Sequence, residues 1–490
     1  MEKKLEYLKK IQSDFIGLDT LYTRADGKKT KRTYLDSTAS TLMMKAAYNA
    51  MESLYDHYAN THSLLHFSAK TATLNYKWAH DRILSFVNAD PDKYACFFTG
   101  SGATAGINRL ARVFRDYNTE RDVVLVSLME HHSNDLPHRK HAGKVVHIPL
   151  DNHQGQPGCI NIGILEEELE KHKDCINYIA MTGVSNVTGI INPIYDIAEL
   201  AHKNGALILI DGAQMAAHLP IKMSGHSNPL RDIDALVFSG HKTYVPGSPG
   251  AVICRKDILS SMEPEEVGGG MVDQVHVTRY TVTDTFPDRE EAGTPNIPGA
   301  IGLAAAIEIL DKIGMDIIFD EETELINNAL DKIKQINGVV IYGETNCEVC
   351  PRAASISFNV RGMDHGLVAA ILNDYHNIAV RNECFCAHPY VKEMIIEELE
   401  YSREQIEELE IDAMFKVKAG MVRASFGIYS TDRDINALVT ALDDIVNNKD
   451  EYAKLYNLTE NGIYKHKSFT PEISEIFNVE SFITDYLEQL

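Results

Sequence analysis

The sequence predicts an α/β protein: a large domain with a mostly parallel sheet, followed by a smaller α/β lobe. Short apolar runs rich in β-branched residues recur through the middle of the chain: DVVLVSL (122–128), NYIAMTGV (177–184), ALILI (206–210) and DALVFS (234–239). Helical patterns such as GILEEELEKHK and PIYDIAELAHKNG lie between them. Strands that alternate with helices form sheets covered on both faces, so each strand reads as an unbroken apolar run. The chain has 490 residues, 44% of them hydrophobic. That length calls for two lobes, because single cores stop growing at roughly 250–300 residues.

The elements follow in order. In MEKKLEYLKKIQSDF, Leu5, Leu8, Ile11 and Phe15 share one helical face, which predicts an amphipathic docking helix within an N-terminal segment, 1–33. The same stretch lacks the uninterrupted apolar core of a secretory signal. The large domain is expected over 34–300. A second block, 301–445, opens with AIGLAAAIEILDKIG and carries AASISFNV and HGLVAAILNDYH, a strand and a helix pattern. The extension 446–490 is polar and irregular, with one helical signal in VESFITDYLEQL.

Bulk properties exclude some partners. The net charge is −23 with no Lys/Arg-rich block, which argues against nucleic acid and anionic membrane. No apolar run approaches the roughly 20 residues of a membrane span. Eight cysteines are few for this length and fit free thiols in a reducing cytosol, so a cytoplasmic location is expected.

In parallel sheets, ligands bind beyond the carboxyl ends of the strands. Those ends here read Met129-Glu130-His131-His132-Ser133-Asn134, Ser185-Asn186, Asp211-Gly212-Ala213-Gln214 and Ser239-Gly240-His241-Lys242. A further run, YACFF (94–98), leads into Thr99-Gly100-Ser101-Gly102-Ala103-Thr104 and a helix. Such a turn reads either as a plain tight turn or as a cradle in which backbone N–H groups meet a phosphate. It lacks the GxxxxGK[ST] pattern of a nucleotide loop. A phosphate cradle, a lysine, a strand-end carboxylate and a flat histidine ring together suit pyridoxal 5′-phosphate. That cofactor needs an amine for its Schiff base and a carboxylate to keep its pyridine nitrogen protonated.

The stretches YLDSTAS (34–40), GSGATAGIN (100–108), MEHHSN (129–134), VSNVTG (184–189), DGAQ (211–214), SGHK (239–242), EAGTPN (291–296), VRNECFCAHP (380–389) and VRASFGIYST (422–431) carry a resemblance. Together they resemble the cysteine desulfurase and selenocysteine lyase group of the class V aminotransferase superfamily. The resemblance implies fold type I, with a sheet of the seven-stranded type. It implies that Lys242 binds the cofactor covalently, Asp211 meets the pyridine nitrogen, Gln214 and Asn186 lie near the ring, and His131 stacks on it. Thr104, Ser239 and His241 would hold the phosphate with backbone at Gly102 and Ala103. Thr294 would reach the phosphate of a neighbouring subunit, implying a homodimer. Arg423 resembles the clamp for a substrate carboxylate, assisted by Arg381; a planar fork suits a carboxylate bidentately.

In the resembled group a loop cysteine takes the sulfur of L-cysteine, leaving alanine and a persulfide for a sulfur-acceptor protein. Cys386 occupies that place. Cys384 reads either as an auxiliary thiol or as a buried apolar residue. Cys347 and Cys350 form a CxxC pair which, with Cys384 and Cys386, could make a four-thiol metal set; the expectation is no metal. His57, His62 and His66 read as surface or core histidines, although His62 and His66 resemble positions near the substrate entrance.

The chain departs from the pattern at Ser63, where relatives often carry arginine, at Ala103 in the phosphate turn, and at Glu383, where many have glycine. It also departs in TYVPGSPG after Lys242 and in an acidic insertion, EELEYSREQIEELE. A class V aminotransferase, or a C–S lyase acting on another sulfur or selenium amino acid, is the second reading. A non-catalytic sulfur carrier or metal-binding protein is the third.

Overall fold

The computed structural model describes residues 2–153, 155–353, 355–395 and 420–490. The acidic insertion lies outside the described residues.

The large sheet has seven strands: β1 (Tyr94–Thr99), β2 (Val123–Ser127), β3 (Lys144–Ile148), β4 (Ile176–Thr182), β5 (Leu207–Asp211), β6 (Ala235–Ser239) and β7 (Gly250–Arg255). Their order is β1-β7-β6-β5-β4-β2-β3. β7 runs antiparallel to β1 and β6, and the remaining pairs are parallel. The apolar runs predicted this. Along β6, Ala235 and Val237 join the core on one face, while Leu236 and Phe238 join the core on the other. With both faces covered, a strand has no polar side and reads as continuously apolar.

The N-terminal helix α1 (Glu2–Ile11) buries Leu8, and Phe15 just beyond it packs edge-on against Tyr244 and Tyr429. Helices α2 (Lys45–Tyr55) and α3 (Phe67–Phe86) pack on one side of the sheet. α4 (Gly102–Tyr117) follows β1 and buries Ile107, Leu110 and Phe114 on the other. α5 (Ile297–Ile313) opens the second block, yet its Ala300, Leu303, Ala304 and Ile307 belong to the large core. A helix apolar all round is buried all round, so the change of core falls within the next helix. α6 (Met315–Lys334) places Ile318 in the large core and Ile326, Leu330 and Ile333 in the small one.

The small lobe is an antiparallel sheet of β8 (Val339–Ile341), β9 (Ser355–Val360), β10 (Arg381–Glu383) and β11 (Met421–Ser425), ordered β8-β9-β11-β10. α7 (His365–His376) and α9 (Asp432–Asn447) cover it, and α8 (His388–Ile395) follows the Cys386 turn. The extension is more regular than its composition suggests. Tyr456–Leu458 pairs with Tyr464–His466, and Tyr456 is buried against the small core. The terminal helix Val479–Glu488 forms where the pattern predicts it, with no residue buried. Cys96, Cys159, Cys175, Cys254, Cys347, Cys350 and Cys386 are free thiols. Among the described residues, no helix is long and apolar enough to cross a membrane.

Candidate active site

The parallel strands end on a cavity of about 330 Å³ between the lobes. Lys242 reaches it from the single turn Gly240–Lys242 that terminates β6. Gly240 is required there: a Cβ would lie 1.9 Å from Ser248 Oγ and 2.9 Å from the Pro249 carbonyl oxygen. The loop TYVPGSPG thus folds back onto the turn and fixes the lysine at the strand mouth. No described residue hydrogen-bonds or ion-pairs with the Lys242 amine. Burial pushes its pKa down, opposed by Asp211 and reinforced by Arg423.

Asp211 ends β5 and is buried; its Oδ1 accepts the Ala213 N–H at 2.9 Å, and burial pushes its pKa up. Gln214 donates to the Thr38 carbonyl at 2.9 Å, holding the first loop against the cavity. His131 follows β2. Its Nδ1 accepts the Ser133 N–H at 3.0 Å. Burial first, then the nearby Lys242 charge, pushes its pKa down to about 3, so the imidazole is neutral. Beneath it, Glu130 is buried and accepts from Ser127, Asn134 and the Thr182 N–H. These bonds fix the turn that presents His131.

The glycine-rich turn closes the opposite end. Gly102 adopts φ +60°, and a Cβ on Gly250 would fall 2.4 Å from the Gly102 carbonyl carbon. β7 therefore presses the turn against β6, and the Ala103 N–H donates to Ser239 Oγ at 2.7 Å. Thr104 pairs with Ser133 at 2.7 Å. His241 stands beside this turn, its pKa pushed down to about 4 by burial and by Lys242.

The small lobe supplies the fourth wall. Arg423, on β11, is 3% exposed. Its Nη1 donates to the Asn186 carbonyl at 2.7 Å, its Nη2 lies 3.6 Å from Asp36, and its Nε has no partner among the described residues. Arg381 pairs with the same Asp36 at 2.9 Å. The Phe385 ring stacks on the Arg423 guanidinium at 4.7 Å, and its carbonyl accepts from Asn186 Nδ2 at 2.8 Å. Cys386 follows at the cavity wall, exposed. Glu383, Phe385 and Cys386 all take positive φ. Glu383, at φ 91°, holds a conformation that glycine adopts freely.

Thirteen of the fourteen residues proposed from sequence line or flank this cavity. Gly102 does so through its backbone beside Ser239, and the other twelve line it directly. Thr294 stands apart, where Asn60 Nδ2 donates to its hydroxyl at 3.2 Å on the exposed surface. His57, His62 and His66 are exposed; His66 caps α3 by accepting from Ala69. Cys384 lies in an apolar cluster with Met129, Val187, Cys350 and Tyr390, and burial pushes its thiol up to about 11. No group of three or more His, Cys, Asp or Glu side chains is placed to hold a metal among the described residues. Sequence reasoning assigned no role to Asp36 or Phe385. Both lie inside quoted motifs, and a carboxylate in a strand-end motif was the available signal for Asp36.

The donor set fits pyridoxal 5′-phosphate. Among the described residues the cavity is lined by Lys242, Arg381 and Arg423 and by one carboxylate, Asp211, and the Arg423 Nε is buried without a partner. The buried Lys242 amine and the open Arg423 Nε suit an anionic occupant.

The model of the aminotransferase class-V family matches residues 33–438. A probable cysteine desulfurase from Halalkalibacterium halodurans is 34% identical over 417 residues, covering 84% of this chain and 92% of its own. A cysteine desulfurase from Escherichia coli is 32% identical, with coverage of 84% and 93%. Among solved structures, a cysteine desulfurase from Thermococcus onnurineus superposes with a TM-score of 0.73 at 28% identity, covering 85% of this chain and 95% of its own. One from Escherichia coli gives 0.72 at 28% identity, covering 90% and 98%. This chain belongs to the class V aminotransferase family, within its cysteine desulfurase group.

Proposed function

We propose that the chain is a pyridoxal-phosphate-dependent cysteine desulfurase that converts L-cysteine to L-alanine and takes the sulfur onto Cys386. One observation carries this reading: a lysine, a buried arginine and an exposed thiol from two lobes line one cavity. Bound there, the cofactor supplies an electron sink for the amino acid's α-carbon. Lys242 would hold it, Asp211 would keep its ring nitrogen protonated, and neutral His131 would lie against its face. Thr104, Ser239, His241 and the backbone at Gly102 and Ala103 would receive its phosphate.

Arg423, with Arg381, orients the substrate carboxylate. Among the described residues the Arg423 Nε has no partner to surrender, so a carboxylate gains a bond there. Lys242, its pKa pushed down by burial, moves the α-proton. The Cys386 thiolate attacks the substrate sulfur, the C–S bond breaks, and cysteine plus thiol become alanine plus persulfide. The persulfide then passes to an acceptor protein.

Thr294 serves a second copy of the chain in this reading. It stands outside its own cavity beside Asn60, and the neighbouring Leu64, Leu65 and Phe67 are 60%, 97% and 93% exposed. An apolar surface of that kind suits a homodimer interface. The test is Cys386→Ala. It should abolish sulfide and alanine formation from L-cysteine while leaving cofactor binding intact. Pyruvate, ammonia and sulfide released at the unmutated rate would instead mean β-elimination with Cys386 as bystander.

A further inference from the structure

Cys386 is held in an unfavourable backbone. Glu383, Phe385 and Cys386 have φ of 91°, 51° and 55°. Non-glycine residues keep such angles only where the surroundings over-determine them. Part of that restraint comes from the large lobe through His132. Its N–H donates to the Cys386 carbonyl at 2.7 Å. Its ring lies parallel to that of His388, with centroids 4.9 Å apart and 6° between planes. His132 Nε2 receives two approaches from the Cys386 turn: the His388 N–H at 3.4 Å and His388 Nδ1 at 3.1 Å.

We propose that His132 and His388 form a proton-sensitive latch that positions the Cys386 turn over the cavity, closed while His132 Nε2 accepts and released when it is protonated. The backbone N–H of His388 can only donate. His132 Nε2 is therefore an acceptor, its ring proton sits on Nδ1, and His388 Nδ1–H is the second donor. A proton on Nε2 sets it against the His388 backbone N–H, which can only donate, and the ring contact is kept only by moving the His388 proton to its far nitrogen.

The surroundings oppose that proton at neutral pH. Burial, then His388, pushes His132 down, with Asp135 opposing and Arg139 reinforcing. Burial and Lys392 push His388 down, against Glu383. His131 is the remaining imidazole beside the pair. Both partners have lowered values in the latched state, so the latch is fully formed at and above the ordinary imidazole range. It weakens as pH falls below that range.

This inference rests on the reading of Cys386 as sulfur acceptor, but its test does not need turnover. Amide hydrogen exchange of residues 383–388 is followed in the cofactor-loaded protein as pH is lowered stepwise from 7.5 to 4.5, corrected for intrinsic rates. Wild type should lose roughly tenfold protection at the lowest pH, as expected for a lost hydrogen bond. His388→Phe keeps a flat ring and the backbone N–H but loses the side-chain donor, and should be less protected than wild type at pH 7.5. His388→Gln restores a donor and should recover protection at pH 7.5. Cofactor absorption verifies that each variant folds. Equal protection of wild type and His388→Phe at pH 7.5, or a wild-type turn indifferent to pH, overturns the latch. Intact pH-dependent protection in a protein that releases no alanine from cysteine would sink the desulfurase reading and leave the latch standing.

Discussion

Arg423 donates from Nη1 to the carbonyl oxygen of Asn186 at 2.7 Å. This bond joins the small lobe to the end of a large-lobe strand, and Asn186 returns one to Phe385 at 2.8 Å. Arg423, proposed to hold the substrate carboxylate, and the cysteine turn are thus braced by one residue. Replacing the planar fork with an ammonium removes both the brace and the bidentate grip. Arg423→Lys should lower kcat/KM for L-cysteine about 100-fold, mostly through KM, with cofactor absorption unchanged. Steady-state kinetics of alanine formation measures it.

Asp36 is the counter-ion of both arginines, at 2.9 Å from Arg381 and 3.6 Å from Arg423. Asp36→Asn keeps the shape and removes the charge. Arg423 is buried and would be left with less compensation, so its placement should loosen. The expected result is a rise in KM of roughly tenfold, in line with one lost charge-assisted bond.

Among the described residues the Lys242 amine has no partner, and it lines the cavity, as the proposed cofactor role requires. Lys242→Ala should yield a folded protein that loses its visible absorption on desalting, whereas wild type retains it. Asp211→Asn should keep the absorption but lower kcat by about 10²-fold or more, as for a lost proton-holding group. An Asp211→Asn enzyme with wild-type kcat would remove the carboxylate from the ring nitrogen.

Two buried imidazoles predict acid sensitivity. His131 and His138 are each pushed down to about 3, chiefly by burial. In the unfolded chain they take up protons near the ordinary value of about 6.5. Between these values the unfolded state binds more protons, so stability falls as pH falls through that window. The Tm should drop between pH 7.5 and 5.0, and His138→Phe should flatten the slope.

The sequence carried the parallel sheet because its strands are buried on both faces. Along β6, consecutive residues join opposite cores, and an alternating strand would have left a weaker trace. The site was legible because parallel strands deliver their ends together: His131, Asp211 and Lys242 each follow a readable run. Asp36 was harder to assign, because its partners lie more than 340 residues away, at Arg381 and Arg423. The His132–His388 stack joins two lobes across 256 positions, and no local pattern encodes that pairing. The helix Ile297–Ile313 opened the second block on paper yet packs in the first core, because sequence adjacency does not decide which core an all-apolar helix enters.

The most direct measurement is product stoichiometry. The purified, cofactor-loaded protein is incubated with L-cysteine and a thiol reductant, and alanine, sulfide, pyruvate and ammonia are quantified together. Alanine and sulfide in equal amounts, both lost in Cys386→Ala, are the predicted result. Pyruvate and ammonia accompanying the sulfide, with no alanine, would contradict it.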